Sequence, residues 1–180
     1  MPEDVSGHHI GPLLLGSVDY VWSRIRGRLG GLTGDEYLWE PAPGCWSVRA
    51  APDGSWRADR PAAEPSPAPV TTIAWRLWHL SSECLAGYAA QGLGPWPLEV
   101  KGQEWFAAPE QALAALDQAW HAFRAGLGEL GEDGLWQPLG PAWEEFADDS
   151  WAGLVLHAQD EMSHHGAEIA LLRDLYAVRR

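Results

Sequence analysis

The chain has one lysine, Lys101, among 180 residues, and its 12 basic residues face 25 acidic ones, for a formal net charge of −13. Nucleic-acid binding draws its affinity from clustered cations that displace counterions. The one such cluster, Arg24, Arg26 and Arg28, sits among apolar residues and glycine. Neither nucleic acid nor an anionic membrane surface is therefore expected as a partner. The acidity reads as solubility. Cysteine is scarce too: Cys45 and Cys84 do not make a disulfide framework, so both are expected as free thiols in a reducing cytoplasm. Apolar runs fall short of the roughly 20 residues that cross a bilayer. The acidic start, Met1 to Asp4, is unlike the cationic head of a signal peptide, so no targeting segment is expected.

Tryptophan, by contrast, is abundant, with twelve residues. With 46% hydrophobic and 21% charged residues, the composition is that of a globular chain and excludes disorder. So many indoles imply a substantial core, or a core with an aromatic cleft. The length suits one domain over residues 1–180.

Apolar periodicity predicts four helices. Ile10, Leu14, Val18, Val21, Ile25 and Leu29 form one face of a helix over 10–30, stopped by Gly30 and Gly31. Ile73, Leu77, Leu80, Cys84, Leu85 and Tyr88 mark a second over 71–91, capped by Thr71 or Thr72. A third runs from Pro109 to Leu127, and a fourth from the cap Ser150 to Val178. Between the first two lies a segment holding seven of the fourteen prolines, where neither helix nor central strand is expected. Within it Thr33 and Glu36 form a candidate capping box. Alternation typical of strands is absent. The expected fold is all-α, a four-helix bundle with one long Pro-rich connection between its first two helices.

The informative stretch is His157 to Glu168, which carries three of the seven histidines. His157, Glu161 and His165 are four apart and share a helix face, where neighbouring side chains can reach one metal ion. With His157 at 0° and about 100° per residue, the apolar centre of the helix lies near 80°. His165 falls at about 80°, Glu161 at about 40° and Glu168 at about 20°, while His157 and His164 are marginal and Asp160, at about −60°, faces solvent. On the second helix His79 is flanked by Leu77 and Leu80. His79, Glu161 and His165 would make a three-ligand set for a divalent ion, zinc or nickel, with open positions for water or substrate. A hydrogen-bonded core histidine and a surface pair are the competing reading. His157, His164 and Glu168 stand as alternates or as orienters of a ligand ring. Trp75 and Trp78 are expected to line the pocket. Glu83 is expected in solvent. Cys84, about 140° round an α-helix from His79, is expected in the core and outside the ligand set. His8 and His9 are weak candidates.

These residues also carry a family likeness. The chain resembles the DinB-like four-helix bundles, a superfamily of metal-dependent enzymes that includes thiol-dependent transferases. The resemblance rests on three stretches: Leu32 to Arg49, with Trp39-Glu40-Pro41 and Trp46-Ser47-Val48-Arg49; Thr72 to Leu80; and His157 to Tyr176, with His164-His165-Gly166-Ala167-Glu168-Ile169. It implies one histidine ligand on the second helix, His79, and two ligands four apart on the fourth. The commoner family pattern has histidine where this chain has Glu161. The thiol-dependent branch is similar in pairing Glu with His, which suits Glu161 and His165. The family's last histidine often stands two residues before the glycine, which would make it His164, with Asp160 as partner. A low-molecular-weight thiol co-substrate follows from the same likeness. A metal-dependent hydrolase acting on a small molecule fits equally well. A bundle that only binds a small ligand, or a structural bundle and homodimer whose His/Glu cluster is hydrogen-bonded without metal, would share the same sequence features.

Overall fold

Capping and apolar spacing place the helices much where the periodicity puts them. The structure, a computed structural model, describes residues 10–61 and 65–179. Helix α1 spans Gly11–Arg28, and the Glu132 carboxylate caps it from across the fold, accepting from the Ile10 and Gly11 amides at 3.2 and 2.9 Å. A one-turn helix α2, Gly34–Tyr37, begins where the Thr33 hydroxyl accepts from the Glu36 amide. The second long helix opens at Thr72, whose hydroxyl accepts from the Trp75 amide. It runs as α3, Ile73–Trp78, then as a π-helical segment, His79–Ala86, and closes as α4, Gly87–Ala90. Helix α5 covers Pro109–Leu135 and α6 covers Trp151–Val178, the latter capped by the Ser150 hydroxyl on the Gly153 amide. A 3-10 turn, Pro141–Phe146, lies between them.

The chain is mostly helical, but it also contains a small antiparallel sheet that the sequence pattern does not announce. Its strands are β1 Val48–Ala50, β2 Trp56–Ala58 and β3 Glu104–Trp105, in the order β1-β2-β3. Val48 pairs with Ala58, and Trp56 with Trp105. The Pro-rich segment therefore does supply a central strand: Pro52 falls in the β1–β2 turn and Pro61 beyond β2, so no proline has to donate to the ladder. The third helix is also longer than its periodicity implies. It continues past Leu127 to Leu135 across a break at Gly131, where φ is 64° and ψ −175°, a conformation open to glycine.

One cluster of buried apolar side chains joins these elements, with Val18, Leu29, Leu77, Phe123, Val155 and Met162 at its centre. Trp22 of α1 stacks on Trp120 of α5 at 4.7 Å. Helices α1 and α6 approach closely where Gly166 meets Ile25: a Cβ there would sit 2.6 Å from Ile25 Cγ1. That glycine adjoins His165, so the same close approach fixes the height at which His165 enters the core. The connections are pinned from α3. Trp75 Nε1 donates to the Asp59 carbonyl at 2.7 Å and Trp78 Nε1 to the Gly102 carbonyl at 2.9 Å. The Thr72 amide donates to the Trp46 carbonyl. Both cysteines are buried and free. Among the described residues no helix is long and apolar enough to cross a membrane.

Candidate metal centre

Two elements, the π-helical segment and α6, bring polar side chains to one point beside the Trp75 indole of α3. His79 opens the π-helical segment with its ring stacked on Trp75, centroids 5.3 Å apart and planes 13° from parallel. From α6, Glu161 extends one carboxylate oxygen, Oε2, between two imidazoles: it lies 3.2 Å from His79 Nε2 and 3.1 Å from His165 Nε2. The two rings meet edge to face at 4.8 Å. His165 is 7% exposed and His79 and Glu161 are half-buried, so the cluster sits at the edge of the core, within reach of solvent.

Each imidazole is held from behind by a second carboxylate. His79 Nδ1 lies 2.8 Å from Glu83 Oε2, and His165 Nδ1 lies 2.7 Å from Glu168 Oε2. These carboxylates are themselves anchored, Glu83 by Arg60 at 2.9 Å and Glu168 by Arg76 at 2.8 Å. A neutral imidazole that donates through Nδ1 presents a lone pair at Nε2. Two lone pairs and a carboxylate oxygen then face one another at hydrogen-bond distance, an arrangement that calls for a positive charge among them. A proton on each ring would supply it, and so would one cation. Paired carboxylate–histidine contacts of this kind are how proteins orient metal-ligating rings. Nitrogen and carboxylate donors suit zinc and its neighbours.

The π-helical segment adds a fourth donor atom. A chain closing its hydrogen bonds to the fifth residue brings side chains five apart onto one face, where an α-helix would swing them well apart. Cys84 Sγ therefore lies 3.6 Å from His79 Nε2 and 3.6 Å from Glu161 Oε2, in the cluster and not on the far side of the helix. Cys84 is in the core as expected, but beside His79 and Glu161, because this segment does not keep uniform α-helical spacing. Glu83 corrects a second expectation: it is not a solvated bystander but the partner of His79.

The remaining predicted residues separate. Glu168 lies behind His165. His164 is exposed, stacks on His165 at 4.7 Å and pairs with Glu168 at 3.2 Å, pointing away from Glu161 and toward the outer carboxylate. His157 is exposed and stands apart from the cluster, against Tyr88 at 5.8 Å. Trp75 forms the wall on which the His79 ring rests. Trp78 faces a different cavity, of about 440 Å³, with Arg60, Glu83 and Trp96. His8 and His9 lie outside the described residues.

The pattern of one family, the DinB superfamily, matches residues 17–169. The chain belongs to the DinB superfamily. Among solved structures, this DinB-superfamily chain is similar to a conserved protein of Enterococcus faecalis, with 14% identity, 96% of this chain and 100% of that chain covered, and a TM-score of 0.57. Likeness at that identity speaks for the fold alone. No curated protein matches the chain.

Electrostatics in this DinB-superfamily site favour ionised carboxylates. Burial pushes the Glu161 carboxyl up, but the His79 hydrogen bond and the charges of His165 and His79 outweigh it and hold the group below its usual range. Burial likewise opposes, and His165 and Arg76 overcome, at Glu168. The Cys84 thiol is pushed far up, first by burial and then by the nearby Glu161 charge, with a hydrogen bond from Tyr88 pulling the other way. Tyr88 also lines a cavity of about 310 Å³ with Trp143, Phe146, Asp149, Leu154 and His157. That cavity lies one turn along α6 from Glu161 and is mostly apolar and aromatic, with Asp149 and His157 as its polar groups.

Proposed function

We propose that the chain is a metal-dependent enzyme acting on a small molecule, with a divalent ion, zinc or nickel, held by His79, Glu161 and His165 in a four-helix bundle. The observation that carries this reading is the convergence of two imidazole Nε2 atoms on one oxygen of Glu161, each ring oriented by its own carboxylate. Such an ion lowers the pKa of a water or thiol placed at its open position. The chain's own residues do the rest. Glu83 and Glu168 keep the Nδ1 protons and so hold both Nε2 lone pairs toward the centre. Trp75 fixes the plane of the His79 ring. The aromatic cavity at Tyr88, Trp143 and Phe146 would hold an apolar part of the substrate, with Asp149 and His157 as hydrogen-bonding partners.

Membership of the superfamily supports transfer of a low-molecular-weight thiol to an electrophile, or hydrolysis. Elemental analysis of protein purified without a histidine tag should find about one ion per chain, lost in His79→Ala. Metal-free protein whose stability ignores a chelator would overturn the reading.

A further inference from the structure

We infer that Cys84 is itself a ligand of this centre, so that the resting ion is held by a thiolate as well as by His79, Glu161 and His165. The inference rests on the metal reading above and goes beyond its ligand set. Its ground is geometric. His79 Nε2, Glu161 Oε2 and Cys84 Sγ form a triangle with sides of 3.2, 3.6 and 3.6 Å. A tetrahedral ion with nitrogen and oxygen ligands near 2.0–2.1 Å and sulfur near 2.3 Å separates neighbouring donor atoms by roughly 3.3 to 3.6 Å. The triangle is thus close to one face of such a tetrahedron. His165 Nε2 lies 3.1 Å from the same Glu161 oxygen.

A second observation points the same way. Cys84 is 2% exposed, and its sulfur lies against the imidazole and the carboxylate, with the Tyr88 hydroxyl as a further hydrogen-bond partner. The backbone departs from α-geometry over His79–Ala86, the stretch that must bend for these two side chains to meet. π-Helical turns are rare and occur often at functional sites. Cys45, the other thiol, makes no such approach; its sulfur donates to the Ala42 carbonyl. A thiolate in the set would favour zinc or cobalt over magnesium or calcium, which prefer oxygen.

Cobalt(II) titration of untagged, metal-free protein tests this. Wild type and Cys45→Ala should show visible d–d bands together with a near-ultraviolet thiolate-to-cobalt charge-transfer band. Cys84→Ala and Cys84→Ser should keep the visible bands, lose the charge-transfer band and bind zinc more weakly than wild type. Far-ultraviolet circular dichroism checks that each variant keeps its helices, and the serine variant serves if alanine unfolds the chain. Visible bands without charge transfer in wild type would overturn the Cys84 assignment and leave the metal centre standing. A charge-transfer band surviving in both Cys84 variants would overturn it as well. No cobalt bands in any form would overturn the centre and the assignment together.

Discussion

Glu161→Gln separates a metal centre from a metal-free hydrogen-bond cluster. The side chain keeps its volume but loses its charge, and the atom affected is the one on which His79, His165 and Cys84 all converge, at 3.2, 3.1 and 3.6 Å. If an ion belongs there, zinc at a hundred times its Kd stabilises the wild-type fold by about 2.7 kcal/mol. For a chain of this size that raises Tm by about 5 to 11 °C. The variant should lose most of that shift. If protons on both rings hold the cluster instead, the variant loses charge-assisted hydrogen bonds worth about 1.5 to 3 kcal/mol each, and zinc changes neither protein. The assay is thermal unfolding of both proteins with chelator and with zinc. A full zinc shift in the variant, or none in wild type, would refute the reasoning.

Glu83→Gln should weaken zinc binding by about 10- to 100-fold through loss of the His79 Nδ1 contact, read by competition with a chromophoric chelator; unchanged affinity would remove Glu83 from the centre. Phe123, fully buried between the long helices, should cost about 3 to 5 kcal/mol when replaced by alanine, measured by urea unfolding. A cost below about 1 kcal/mol would mean the site collapses around the gap. Acid should destabilise the metal-free protein through Glu161 and Glu168. Both carboxyls are depressed in the folded state, so their contribution is complete above the ordinary value of 4.5 and is lost as pH falls through the lower folded values. Urea midpoints across that range should fall less steeply in Glu161→Gln/Glu168→Gln, and an unchanged slope would assign the acid sensitivity elsewhere.

The long helices were legible because their apolar residues keep an α-helical period and two of them open on hydroxyl caps, Thr72 and Ser150, as the one-turn α2 does on Thr33. The wheel drawn for α6 also sets His165 and Glu161 inward and Asp160 outward, as the burial has it, because that helix is regular throughout. Strands of two or three residues carry too few side chains to alternate visibly, and β2 hides between prolines that flank it without entering its ladder. Glu83 stands four residues from His79, the same spacing that singles out Glu161 and His165, so its pairing with His79 was legible as well. Cys84 was not, since no pattern in residues 79–86 distinguishes a π-turn from an α-turn, and the error of one register step displaces a side chain from the cluster to the opposite wall.

A π-turn holds one residue more than the α-turn it replaces. The rows on either side of it, Trp75 and Trp78 before and Tyr88 and Ala89 after, are each packed as parts of ordinary helix. A chain one residue shorter between His79 and Cys84 could close that step and leave both rows seated, with another side chain turned toward Glu161. The proposed centre would therefore depend on chain length as well as on residue identity: loss of a single codon would exchange one of its candidate donor atoms while the surrounding scaffold stays as it is.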